Sequence, residues 1–335
     1  MSMSHPISVI RTTPLGRSAP ADAVARSRSR RRALQLALGL LWLLNAALQF
    51  QPFMFTHKFI HQVVLPAAQG NPGWIAATET WAANLMAQHI VVCNAFFAST
   101  QLLLAALILW RPTVKIGLGA SVAWALGVWW FGEGLGGVLT GASPLAGAPG
   151  AVVLYALIAL LVWPRPGGEA GTCIASSGLL RWHMPRIAWV ALWGSFSYLL
   201  VLPANRAAGH VQGLLSGMGA GEPGWLGGID HDLAAGVADG GPAVSIVLAA
   251  CCAFVAVSVF TPALTRHGVV LAVLLGLTFW LAEDFGAVLT GQGTDPNSGP
   301  LLVLLALAFW PYGATTPSST PASTPQRSGG DTRLA

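Results

Sequence analysis

Long apolar runs separated by short Gly- and Pro-rich breaks set the pattern of this chain. Runs cover about 33–51, 88–110, 116–137 and 149–163, and the pattern restarts at 187–202, 242–261, 268–287 and 299–311. Within each run the apolar residues are continuous and rich in Leu, Ala, Val and Gly. That predicts helices; the alternation of a barrel strand is absent. Most runs are long enough for a helix to cross a hydrocarbon layer about 30 Å thick. A helix also satisfies its own backbone groups there. The last run of each set, about 151–163 and 301–311, is short for a full crossing.

The two sets keep register. Trp42 and Trp193 lie 151 residues apart, as do Pro52 and Pro203, and Pro72-Gly73-Trp74 and Pro223-Gly224-Trp225. Pro112 and Pro262, and Glu133 and Glu283, lie 150 apart. Trp163-Pro164 matches Trp310-Pro311 after a short deletion. One offset held across successive features reads as an internal duplication. With four spans per unit, both units insert in one orientation. The expected fold is an all-α membrane protein of eight transmembrane helices, arranged as two parallel (same-orientation) four-helix repeats with outer interfacial segments. The repeats are 33–164 and 187–312. A cytoplasmic linker, 165–186, joins them, and disordered cytoplasmic tails, 1–32 and 313–335, flank them.

Composition fits this frame. The chain is 54% hydrophobic and only 9% charged, where soluble domains carry roughly 25% charged residues. Fifteen of the 17 Lys and Arg residues fall on the side of the N-terminus, leaving Lys58 and Arg206 opposite. The positive-inside rule then puts both termini in the cytoplasm of a multi-pass cell-membrane protein. Arg26, Arg28, Arg30, Arg31 and Arg32 stand beside the first span and read as an orientation signal or an anionic-lipid contact, with no nucleic-acid partner implied. Acids gather on the other side, at Glu79, Glu133, Glu222, Asp230, Asp232, Asp239, Glu283, Asp284 and Asp295.

The candidate chemistry sits in a motif that occurs twice. Trp129-Trp130-Phe131-Gly132-Glu133-Gly134 runs on to Thr140-Gly141, and Phe279-Trp280-Leu281-Ala282-Glu283-Asp284 runs on to Thr290-Gly291. Each copy sets a carboxylate at the outer end of a span and then breaks into a Gly-rich turn. An ionisable group at such a depth faces a cavity or a partner. Glu133, Glu283 and Asp284, with Thr140 and Thr290 nearby, form the expected site for a cation, a proton or a small ligand in one outward-facing cavity between the repeats. Packing is the competing role, in which each Glu hydrogen-bonds a Trp N–H or the turn backbone. His57 and His61, four residues apart, suit one helix face and could hold a metal with His231. The four cysteines include no C-x-x-C pair and read as small apolar residues. No P-loop, G-x-S-x-G, H-E-x-x-H or dinucleotide fingerprint is present, so no cofactor is specified and an enzyme is not indicated.

In element order, in the turn Trp110-Arg111-Pro112-Thr113-Val114-Lys115 and in the Gly-rich third span, each half resembles the DoxX/DoxD-like family of four-span membrane proteins. The resemblance implies a four-helix plan and, for some relatives, a quinone-linked subunit of a membrane sulfur or thiol oxidoreductase. A membrane redox partner, or a role as a scaffold, is therefore the alternative to ligand binding or transport. The Glu-x-x-Gly-x-Val-Leu-Thr-Gly motif is similar to one in uncharacterised actinobacterial membrane proteins, a likeness that implies no function.

Overall fold

The computed structural model describes residues 21–165, 172–180, 183–217, 223–238 and 240–312. Both outer parts of the tails, part of the 165–186 linker including Arg181, and Glu222 and Asp239 lie outside the described residues. Among the described residues the chain is helical throughout, without strands. Four helices, Ile90–Leu109, Arg111–Phe131, Gly241–Ser258 and Pro262–Ala282, are long and apolar enough to cross a membrane.

In chain order the helices are α1 (Ala21–Gln49), α2 (His57–Phe59), α3 (Leu65–Ala67), α4 (Gly73–Gln88), α5 (Ile90–Leu109), α6 (Val114–Phe131) and α7 (Ala151–Leu161). They continue as α8 (Met184–Val201), α9 (His210–Gly217), α10 (Gly224–Val237), α11 (Gly241–Ser258), α12 (Pro262–Ala282) and α13 (Ser298–Ala308). In the first bundle α1 packs on α5, α5 on α6 and α6 on α7. In the second, α8 packs on α11, α11 on α12 and α12 on α13. The bundles meet where α7 packs on α13. Those two helices have 11 residues each, about 16 Å of rise, and are the most buried of the fold. The long helices outside them show Val92, Ile116, Val247 and Leu274 at their surfaces, an apolar perimeter suited to lipid.

One expectation needs correction. The basic leader was expected to stay unstructured up to residue 32, but α1 begins at Ala21 and carries Arg26 to Arg32 as helix. The reason is a set of acceptors at neighbouring helix ends. Arg32 donates to the carbonyls of Ile108 and Leu109 at the end of α5, and Gln35 donates to the carbonyl of Val162 after α7. Arg31 donates to the carbonyl and hydroxyl of Ser177 within the linker. Helix C-termini leave carbonyls that such donors satisfy. The outer segment from Phe55 to Val63 is folded onto the first bundle. Phe59 and Ile60 are buried against Met54, Ala83 and Met86, so this segment packs under α4 as a lid on the first bundle.

Each motif turn has the same unusual backbone. Gly134, Leu135, Gly136 and Gly137 have φ of 58, 54, 60 and 69°, and Asp284, Phe285, Gly286 and Ala287 have 49, 55, 74 and 54°. Four successive left-handed residues are strained, by about 1–2 kcal/mol for each non-glycine. Such strain persists only where the surroundings over-determine it. Here each turn presses on the loop that leads into the short helix. A Cβ on Gly136 would fall 1.8 Å from the Pro149 carbonyl oxygen, and one on Gly286 would fall 2.5 Å from that of Asp295.

Candidate functional site

The left-handed turns carry each motif glutamate off the end of its long helix and back onto the start of the short one. Glu133 accepts from the Val152 N–H at 3.2 and 3.4 Å. Glu283 accepts from the Ser298 N–H at 3.2 Å and the Ser298 hydroxyl at 2.7 Å. Each acid thus satisfies an N–H that the first turn of α7 or α13 leaves unpaired, and each is held at the positive end of a helix. Space for Glu133 depends on Gly150, where a Cβ would stand 2.2 Å from Oε2. The Trp129 N–H goes instead to the Pro149 carbonyl, at 2.7 Å.

Packing accounts for one side of each carboxylate, and a cavity takes the other. Glu133, Glu283, Asp284 and Asp295 all line one vestibule of about 620 Å³ between the two turns. Thr140 lies on its rim, and no Lys, Arg or His lines it. Glu283 and Asp284 are each 4% exposed. Glu133 and Asp295 are half-buried, their open surface facing cavities.

Asp295, which the sequence placed on the outer side but not in the site, is central. It accepts from the Asn297 N–H at 2.6 Å and the Thr294 hydroxyl at 3.0 Å. Burial pushes Glu133 up to about 8, and the nearby Asp295 carboxylate adds to that against the Val152 N–H. Burial likewise raises Glu283 to about 8, opposed by the Ser298 donors and reinforced by Asp295. Asp295 is itself raised by burial, against its two donors. All three acids follow the ends of long helices and precede short ones. Burial and the neighbouring carboxylate thus favour the protonated form of these acids.

A second chamber of about 390 Å³ lies inside the first bundle. Glu133 and Asp295 line both spaces, together with Val63, Gly132 and Thr294. The chamber has Phe59, Phe97, Trp124 and Phe131 on its walls, with Asn45, Gln49 and Gln101 among them. Gln49 and Gln101 are each 7% exposed. Asn45 accepts from the Tyr155 hydroxyl at 3.0 Å. Asn45 and Gln49, four apart on one apolar run, were a signal the sequence offered for this chamber. Behind the first turn, Asn71 donates to Glu79 at 3.4 Å and to the Gly134 carbonyl at 3.2 Å. Burial raises the Glu79 carboxyl, and Asn71 opposes that rise.

Other expected residues play lesser parts. The Thr140 hydroxyl donates to the Gly137 carbonyl at 2.9 Å, and the Thr290 hydroxyl to that of Ala287 at 2.7 Å. Thr290 is not on the vestibule lining. Both threonines close their own turns. His57, His61 and His231 are exposed. No group of three or more His, Cys, Asp or Glu side chains among the described residues could hold a metal ion. His57, His61 and His231 belong to no such group, and His231 lies on α10. No family model, curated protein or solved structure matches the chain.

Proposed function

We propose that this protein binds a small cationic or proton-bearing ligand in an outward-facing acidic vestibule between two four-helix repeats, and passes it across or into the membrane. The observation that carries the reading is that four carboxyl groups from both bundles line one space without a base. The lack of three-ligand metal geometry among the described residues favours a proton or an organic cation over a metal ion.

The proposed membrane arrangement is eight spans as two parallel repeats, with α7 and α13 as short central spans. It is supported by matched left-handed turns 150 residues apart and by matched Glu-capped short helices. Both termini are proposed to be cytoplasmic. Arg28, Arg31, Arg32, Arg111, Lys115 and Arg165 surround a groove at the end of the first bundle opposite Glu133, and bases stay on the cytoplasmic side. A DoxX/DoxD-like subunit facing a quinone and a membrane redox partner is the second reading, favoured by the aromatic walls of the inner chamber.

Protein purified in mild detergent provides the test, with small-molecule mass spectrometry and quinone analysis of the wild type and the Glu133→Gln/Glu283→Gln variant. The expected result is a small cationic ligand on the wild type that the variant loses. Identical ligands and copurifying partners in both would overturn the shared vestibule, and a bound quinone would favour the second reading.

A further inference from the structure

The inner chamber carries more information than its volume. Its 390 Å³ falls in the range of small-ligand pockets, roughly 300–1,000 Å³. It is lined by Gln49 and Gln101, both more than nine-tenths buried. The side-chain oxygen of each is buried and has no hydrogen-bond partner. An unmade hydrogen bond on a buried amide is costly. Two on one cavity, at well-packed positions of α1 and α5, point to donors supplied from outside the chain. At the vestibule end the same chamber is lined by Glu133 and Asp295. Besides these acceptors and acids the lining carries one unpartnered donor, the Trp124 N–H, and none of its described lining residues is a base. The remaining wall includes Phe97 and Trp124, whose rings stand 5.6 Å apart edge to face. Aromatic faces attract cations.

We infer that the inner chamber binds a small organic ammonium ion with an apolar body. Its N–H groups would face Gln49, Gln101, Glu133 and Asp295, and its body would lie against Trp124 and Phe97. This rests on the vestibule reading only for the route of entry: the ligand reaches the chamber past Glu133 and Asp295. The ammonium supplies the positive charge that the lining lacks beside these two acids, which the protein meets only with N–H and O–H donors. An anion meets two acids and no base. A neutral alcohol supplies one donor and no charge. A quinone supplies only acceptors, which suit the Trp124 N–H but leave both glutamine oxygens unmet.

The test is thermal unfolding of the full chain in detergent with 2-phenylethylammonium, against 2-phenylethanol, phenylacetate and a short-chain benzoquinone. The wild type should be stabilised in a concentration-dependent way by the ammonium probe and not by the other three. Gln49→Leu/Gln101→Leu should weaken the ammonium effect at least about tenfold in concentration, while its unfolding temperature without probe stays at or above the wild-type value. Ala123→Leu, which narrows the chamber without touching a polar group, should weaken binding as well. Cys252→Ala, in the other bundle, should leave it unchanged.

Absence of an ammonium effect on the wild type, or an equal effect in Gln49→Leu/Gln101→Leu, would overturn the inference, as would stabilisation by the benzoquinone instead. If the effect survives in Gln49→Leu/Gln101→Leu and disappears in Glu283→Gln/Asp284→Asn, the ammonium sits in the vestibule. The chamber site then fails and the vestibule reading stands. If the effect disappears with the glutamines but its onset rate is untouched by Glu283→Gln/Asp284→Asn, the chamber stands and the vestibule as entrance fails.

Discussion

The two bundles share a frame and differ in what fills it. At positions 151 apart, Asn45, Gln49 and Gln101 of the first bundle stand against Phe196, Leu200 and Cys252 of the second. Tyr155, eight residues before Trp163, stands against Leu302, eight before Trp310. Phe196, Leu200, Cys252 and Leu302 are all fully buried. Trp189, Trp193, Phe196 and Phe279 form a continuous chain of ring contacts there, from 5.3 to 5.8 Å. Trp42 donates its N–H to the Ser121 hydroxyl at 2.9 Å, whereas the N–H of its counterpart Trp193 is buried without a partner. The outer acids diverge in the same sense. Glu79 is held by Asn71, and Asp230 is buried with neither oxygen hydrogen-bonded among the described residues. One bundle keeps a polar chamber, and the other is packed like a soluble core. Buried carboxamides facing a cavity are thus concentrated in the first bundle. The second supplies Glu283, Asp284 and Asp295 to the shared vestibule and a rigid wall behind them.

The sharpest way to break this comparison is at the helix starts. Gly150→Ala puts a Cβ 2.2 Å from Glu133 Oε2 at a φ of +93°, and should cost about 3 kcal/mol or more. Its counterpart Asn297, at φ 60° and capping the Ser298 N–H, already carries a side chain. Asn297→Ala should cost only about 1–2 kcal/mol, chiefly for the lost cap. Thermal or denaturant unfolding in detergent reads both, and equal losses would contradict the tight fit assigned to Glu133.

Titration should be shared between the bundles. A carboxyl whose folded value lies above its unfolded one binds more protons in the fold than in the unfolded chain. Its contribution is complete below the unfolded value and fades as pH rises through the folded one. For Glu133 and Glu283, stability should decline from the ordinary value of 4.5 up to about 8. The slope should flatten in Glu133→Gln/Glu283→Gln. A wild-type stability that rises across this interval would contradict the burial assigned to these acids.

Exchanging the fillings should give smaller effects. Leu200→Gln puts a carboxamide into a packed core and should destabilise by about 2–3 kcal/mol. Tyr155→Phe removes the donor to Asn45 and should cost about 1 kcal/mol. The smallest changes belong to the turn hydroxyls. Thr140→Val and Thr290→Val should each stay within about 1 kcal/mol and leave ligand content intact. A loss of ligand in Thr290→Val alone would move the site away from the vestibule lining.

Helical class and the position of the paired glutamates were legible because hydropathy and a duplicated motif report them directly. Asp295 was not, since the matching position before Pro149 is Ala148 and comparison of the copies hides an acid present in one. The start of α1 was hidden for a related reason. Arg31 and Arg32 read as an orientation signal or an anionic-lipid contact until the carbonyls they cap are placed beside them. The inner chamber was half visible. Asn45 and Gln49 interrupt an apolar run on one helix face, but only packing brings Gln101 and Trp124 to the same space. The left-handed turns were signalled at the glycines and concealed at Leu135, Asp284, Phe285 and Ala287, residues that rarely adopt that backbone.

The central claim is that Glu133, Glu283 and Asp295 belong to one vestibule and feel one another. Infrared difference spectroscopy of the protonated carboxyl C=O band, titrated from pH 5 to pH 10, measures this in the wild type and in Glu133→Gln, Glu283→Gln and Asp295→Asn. The account predicts a wild-type carboxyl population that loses its proton near pH 8, and a downward shift of the remaining glutamates when Asp295 is neutralised. Single variants whose bands simply subtract from the wild type, with every remaining midpoint unmoved, would show separate packing residues and contradict it.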